Sequence, residues 1–477
     1  MKKTALVLAL IMCFALAIPA LTEAPTGTAG QAKMDGGTRV IRIATWYDHD
    51  MYDSSLGLED LPNYFVSPEA HEAMYNNMKA VEEKYNVKFE VVRTTFEGIQ
   101  ISVDEGVLSG KPEADVYEAD IQFGMPYALN GYLYALDDLV PADNDLWNAQ
   151  QVNQNLKFPS QDKSYLFQIY SDGITVYSLG FNWTLLRQKG LENPQDLYAR
   201  GEWTWDVFLD YCEKLTDLTA ATPVYGFGGL WTNHLNGFLR SNGAQIAATP
   251  EGGLLSQATT EVLEMFKTLY FDRKVARPWN ADDWAINNKY ADGSVAFFTA
   301  ADWIFNEGNG YYGGGIDYPL NWELGVVPYP VGPSGNQETN FHNAVTGNFY
   351  MIPLGVEDPA FVFEVYQALN NWYDFDRENT KGYDVLDESE EVLTWAEQNM
   401  VAAAAGNEEL AASNRALNDF MSHAISFDPW DSVTSQVSAG DSGDFSMVPI
   451  MDGTMTPAQF QETYKQPLEN ALKTVYK

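Results

Sequence analysis

Apolar and polar positions alternate along Arg39-Val40-Ile41-Arg42-Ile43-Ala44-Thr45-Trp46, the period of a half-buried β-strand. The period then changes. Ala70, Met74, Met78, Val81 and Tyr85 recur at helical spacing and predict a helix over 69–85. Val87–Val92 reads as a second strand, Ile99–Ser109 as a second helix, and Asp115–Asp120 as a short third strand. Strand, helix, strand, helix, strand is the pattern of a parallel sheet with crossover helices, which predicts an α/β fold.

Further along, Gly173–Asn182 is an apolar strand. Thr204 stands where a cap belongs, before a helix running to Leu215. Helices are expected at 256–272, 286–292, 359–372, 389–425 and 456–476, with strands at 294–299, 322–327 and 349–353. Residues 306–336 are rich in Gly, Asn and Pro and read as loop around one of those strands. No internal repeat is evident.

The first residues follow a different logic. Lys2 and Lys3 precede an apolar run from Ala5 to Ile18, which Pro19 breaks before Ala20 and Ala24. A charged start, a short apolar core and small residues at the exit predict a signal peptide over 1–24 and an exported protein. Cys13 lies inside that core behind bulky Met12, which argues against lipid attachment. Residues 25–38 are small and polar and read as a flexible leader.

Charge narrows the partners. With 66 acidic against 28 basic residues the net charge is −38, a surface that repels nucleic acid and anionic lipid. Thirteen Trp and 27 Tyr are numerous for such a chain. Aromatic faces pack against the apolar C–H faces of sugar rings while neighbouring polar groups bond the hydroxyls.

Catalytic and metal signatures are incomplete. His71-Glu72-Ala73-Met74-Tyr75 begins like a zinc-protease helix, but Tyr75 stands where the second histidine is required. Gly440-Asp441-Ser442-Gly443 lacks any histidine context and reads as a solvated loop; Gly308, Gly310 and Gly313 follow no strand. Asp48, Asp50 and Asp53 are oxygen donors without the rest of a calcium loop. Cys212 reads as a packed helix residue. No cofactor or metal is expected. A glycosidase or lyase stays open, because a carboxylate pair about 5–10 Å apart is invisible in sequence, and so does a binding protein for a non-sugar ligand such as a polyol, peptide or polyamine.

Several segments, in order, resemble the sugar-type extracellular solute-binding proteins of bacterial ABC importers, the group that includes maltose-binding protein. They are Leu108-Ser109-Gly110 with Ala114-Asp115-Val116, Gly131–Leu139, Tyr177–Gly190 (with Trp183 in place of the usual Lys), Trp203-Thr204-Trp205-Asp206 with Lys214-Leu215-Thr216, and Asp292–Phe297. The resemblance implies two α/β lobes in the periplasmic-binding-protein fold, each discontinuous and joined by a hinge. The expected boundaries are 39–172 with 346–400 for the N-terminal lobe and 173–345 with 401–477 for the C-terminal lobe. Crossings are expected near 172–180, near 343–349 and near 400. It further implies a non-catalytic, monomeric, extracellular or periplasmic protein that closes on an oligosaccharide and hands it to permease subunits.

Site residues follow from two sources. Ligands of open α/β sheets sit beyond the carboxyl ends of strands, which selects Trp46, Tyr47, Asp48 and Asp120. The resemblance adds Trp303 as a stacking residue and Trp231, Asn233 and His234 in a loop or helix start facing the cleft. It also adds Asn343 beside the second crossing, and Trp430 is added as a C-terminal aromatic in a turn-rich segment. Trp205 and Trp372 lie on helix faces and are expected in the core.

Overall fold

In a computed structural model, strand β1 (Arg39–Thr45) buries every second residue at its start, as its alternation predicts. The structure describes residues 37–46, 52–61, 68–149, 157–158, 162–169, 174–244, 246, 253–280, 290, 292–301, 320–339, 344–371, 401–423 and 446–476. The expected signal peptide, the helix at 286–292 apart from residues 290 and 292, Tyr47, Asp48, Trp303, Asn343, Trp372 and Trp430 lie outside these residues.

After β1 come α1 (Pro68–Tyr85), β2 (Val87–Arg93), α2 (Phe96–Ser109), β3 (Val116–Asp120) and α3 (Ile121–Leu129). β1 pairs in parallel with β2 on one side and β3 on the other, the arrangement the crossover pattern requires. The alternation sends residues to two separate cores. Ile41, Ile43, Phe89 and Val116 pack with Met74, Met78 and Val81 of α1. Ala44, Tyr117 and Ala119 pack on the opposite face with Ile99 and Val103 of α2 and Met125 of α3.

The second half brings β4 (Ile174–Asn182), α4 (Trp205–Leu215), β5 (Tyr225–Phe227), α5 (Trp231–Ser241) and α6 (Gln257–Lys267). Then follow β6 (Val295–Ala301), β7 (Leu324–Val327), β8 (Ala344–Met351), α7 (Pro359–Leu369), α8 (Glu408–His423) and α9 (Pro457–Tyr476). One eight-stranded sheet runs β2-β1-β3-β8-β4-β6-β5, with β7 also paired to β4. A third core gathers Phe181, Trp203, Phe208, Phe227, Phe238 and Phe297, joined by Ala403, Leu410 and Phe460 from the C-terminal helices. Val362, Val365 and Tyr366 of α7 belong instead to the α1 core. The molecule therefore has two lobes built from interleaved segments, with β8 spanning both. Its Ala344–Gly347 half pairs with β4 and its Asn348–Met351 half with β3.

Several local expectations are corrected. α3 was not foreseen, since it carries Pro126 in its interior and is apolar nearly throughout. Thr204 occupies the cap position of α4, but its hydroxyl makes no cap bond; its backbone bridges instead to Val331. The helix expected over 256–272 is α-helical only to Lys267, then widens into a π turn at Thr268–Asp272. The Arg273 N–H reaches back to the Thr268 carbonyl, and the Leu269 carbonyl accepts from Val275 and Ala276. This turn releases the chain into a short extended stretch beside β5. Trp205 is buried in the core as expected.

Candidate functional site

The carboxyl ends of the parallel strands in both lobes converge on β8. In the first lobe β3 ends at Asp120, in register with Asn348. In the second lobe β6 ends at Ala301, in register with Tyr177 of β4, which is in register with Ala344. Four residues of β8 separate the two levels, a span of about 13 Å at ~3.3 Å per residue. The strand ends of the two lobes therefore point toward each other across this short stretch of β8.

On the first-lobe side, Trp46 directly follows β1, is half-buried and packs on the α2–α3 face. Asp120 is also half-buried. Behind it on the same strand, Glu118 is buried at 5% exposure, and the Thr45 hydroxyl donates to its carboxylate at 3.3 Å. Sequence reasoning did not single out Glu118; the available signal was a carboxylate inside the otherwise apolar run Val116–Ala119.

On the second-lobe side, β5 runs into Gly228-Gly229-Leu230 and then α5. Gly229 holds φ at 120°, and a Cβ there would lie 2.3 Å from Thr299 Oγ1 and 2.8 Å from His234 Nε2. Only glycine fits this turn without strain. The Leu230 N–H donates to Thr299 Oγ1 at 3.0 Å.

His234 completes the support from below. It is wholly buried, with Nε2 at 2.8 Å from the Gly228 carbonyl and Nδ1 at 3.0 Å from the Tyr329 hydroxyl. A carbonyl only accepts, so Nε2 carries the proton and Tyr329 donates to Nδ1. Burial brings the pKa of His234 down to about 3, so the ring is neutral at neutral pH. Both nitrogens and the whole ring are taken up inside the lobe, in contrast to the cleft-facing position expected from the sequence.

Trp231 opens α5 and is 5% exposed; its ring meets Trp279 edge-on, centroids 6.4 Å apart. Trp279 is half-buried and was not selected from the sequence. The extended stretch after the π turn brings it there. Phe227 N–H donates to the Val275 carbonyl at 3.2 Å, and Arg277 N–H donates to the Phe227 carbonyl at 2.8 Å. The signal was an aromatic just beyond Val275-Ala276, a strand fragment too short to stand out. Asn233 is half-buried, one turn before Asn236 on α5, and α5 lies against β8.

Among the described residues no group of three or more His, Cys, Asp or Glu could hold a metal ion, and no helix is long and apolar enough to cross a membrane. His71 and Tyr75 both lie on α1; His71 is buried and Tyr75 half-buried against the core. Cys212 is a buried free thiol whose pKa burial pushes well up.

A family model described as bacterial extracellular solute-binding protein matches residues 77–360. No curated protein matches the chain in sequence. Among solved structures, the chain is similar to an ABC substrate-binding protein from Listeria monocytogenes in complex with cycloalternan. The identity is 16%, the coverage 91% of this chain and 99% of that one, and the TM-score 0.57. It is also similar to an ABC transporter solute-binding protein from Thermotoga lettingae bound with α-D-tagatose (17% identity, 92% and 100% covered, TM-score 0.55). A third is UgpB from Mycobacterium tuberculosis in complex with glycerophosphocholine (16% identity, 86% and 97% covered, TM-score 0.56).

Proposed function

The chain belongs to the bacterial extracellular solute-binding proteins, and on that premise we propose that it captures an oligosaccharide between its lobes for an ABC importer. The observation that carries this reading is the convergence of both sets of strand carboxyl ends on β8, with the Trp231–Trp279 pair at the second-lobe end. Aromatic faces for C–H surfaces and half-buried amides for hydroxyls are the means by which a protein holds a neutral sugar. The solved Listeria and Thermotoga proteins, with cycloalternan and tagatose, support a sugar as the ligand.

The lobe division at 39–172 with 346–400 and 173–345 with 401–477 is part of this reading, supported by the separate apolar cores. So are solute-driven hinge closure, delivery to permease subunits, action outside the membrane as a monomer, and the absence of a catalytic step. The solute contacts are assigned to Trp46, Tyr47, Asp48, Asp120, Trp231, Asn233, Trp279, Trp303, Asn343 and Trp430. His234 is assigned to holding the Gly228–Leu230 turn rather than touching solute.

One observation favours a second reading. UgpB, of comparable likeness, was solved with a phosphodiester rather than a sugar. The net charge of −38 opposes an anionic solute, since the field of the whole molecule lowers its local concentration.

A thermal-shift panel separates the readings. Maltotetraose, mannotriose, cycloalternan and glycerophosphocholine are compared, with chromatography of each mixture. One glycan raises Tm in proportion to the logarithm of its concentration and is recovered intact. Stabilisation by glycerophosphocholine alone, or cleavage of the stabilising glycan, overturns the oligosaccharide-carrier reading.

A further inference from the structure

Helix α5 has no exposed residue in its eleven positions. Trp231, His234, Leu235, Gly237, Phe238, Leu239 and Ser241 are buried in the second-lobe core or beside it. The remaining positions, Thr232, Asn233, Asn236 and Arg240, are half-buried. At 100° per residue these four fall within one arc of about 100°, a polar stripe on the side away from the core. A helix covered on all sides ordinarily carries apolar residues all round. This one keeps amides and a hydroxyl on the covered side, and it lies against the spanning strand β8.

Asn236 is the member of the stripe that the fold does not account for. Its side-chain oxygen is buried, and among the described residues no donor reaches it. A buried amide oxygen left unmatched costs about 1–3 kcal/mol, so its retention needs a reason. Leucine has the same branched heavy-atom skeleton and a better helix propensity, and would remove the cost. Backbone support is not the reason, because the neighbouring turn is held by Thr299 and His234.

We infer that Asn236 is a specificity-determining residue of the solute cleft, accepting a hydrogen bond from a solute hydroxyl on the wall that also carries Asn233. The inference rests on the solute-binding reading above and adds a residue and a selectivity. A hydroxyl both donates and accepts, so it pairs with the amide in either orientation. A phosphate or carboxylate oxygen pairs only with the amide nitrogen and leaves the oxygen unmatched. Asn236 thereby favours uncharged hydroxylated solutes over anions.

The test uses the full chain and whichever glycan of the four-compound panel stabilises it most. Titration calorimetry compares wild type with Asn236→Leu and Asn236→Ala, and melting of each protein without sugar is recorded. The expected result is an affinity roughly tenfold to hundredfold weaker in both variants. Asn236→Leu without sugar melts at or above the wild-type temperature, an outcome that a merely structural asparagine would not give. Wild-type binding with both variants within twofold of it overturns this inference and leaves the solute-binding reading standing. A variant that melts lower without sugar yet binds as wild type overturns it equally. A wild type that no glycan stabilises removes the premise, and the inference falls with it.

Discussion

Gly229 shows how much of a site a single backbone angle can fix. The turn from β5 into α5 must bring Leu230 N–H onto Thr299 and leave the Gly228 carbonyl above His234 Nε2. Both requirements are met at φ 120°, with no room for a methyl group. Alanine at this position would have to displace Thr299 or His234, or rotate the turn that aims Trp231. Gly229→Ala is expected to cost about 1–3 kcal/mol in urea unfolding, the usual range for overpacking, and to weaken glycan binding beyond the loss in stability. A variant with unchanged midpoint and affinity would show that the turn is soft and does not position the wall. His234 illustrates why residue type misleads at this scale. A histidine beside Trp and Asn reads as a solute contact, yet burial and two hydrogen bonds make it a strut. Trp279 is the converse case, selected by a hydrogen-bonded stretch of three residues that carries almost no periodicity.

At the scale of elements, the open side of β7 is closed by a side chain. Asn414 of α8 is wholly buried; its Oδ1 accepts from Val326 N–H at 3.0 Å and from Gln195 Nε2 at 2.8 Å, and its Nδ2 donates to the Leu324 carbonyl at 2.9 Å. One amide thus takes the place of a neighbouring strand along an edge. Asn414→Ala leaves a backbone donor and a backbone acceptor buried and unmatched, so a loss of about 2–4 kcal/mol is expected in chemical denaturation. A loss under about 1 kcal/mol would mean that water replaces the amide at little cost. Elements with strong periodicity were legible: β1, α1 and β2 fall within a residue or two of their expected limits. α3 was not, because an apolar run interrupted by Pro126 has no period to read. α5 was legible only at its start, since Gly228-Gly229 and the amides after Trp231 look like loop until the stripe they form is placed on a helix. The pairing of β8 with both β3 and β4 is long-range and no local pattern encodes it.

For the whole molecule, charge is the dominant unbalanced term. Sixty-six acids face 28 bases, and the described ion pairs are mostly at exposed positions such as Lys214 with Asp210 and Arg273 with Glu213. Such pairs contribute little individually, so the net repulsion among carboxylates is left uncompensated. Salt screens it, with a Debye length falling from about 30 Å at 0.01 M to about 3 Å at 1 M. The melting temperature is expected to rise by several degrees over that range in sodium chloride, and a flat or falling trend would show that the paired charges outweigh the unpaired ones.

The strand shared by the lobes also sets a schedule for synthesis. A chain emerging from its N-terminus has every residue of β1, β2 and β3 by position 120, but their sheet lacks its next strand until Met351 has appeared. The second-lobe core waits longer, until Phe460, Tyr464 and Leu468 arrive. The first-lobe core cannot close before Leu369 is made or the second before Leu468, and no single cut in the gene separates one from the other. The second lobe therefore stays pliable until Leu468 has been made, the state in which a chain can be threaded across a membrane before it folds.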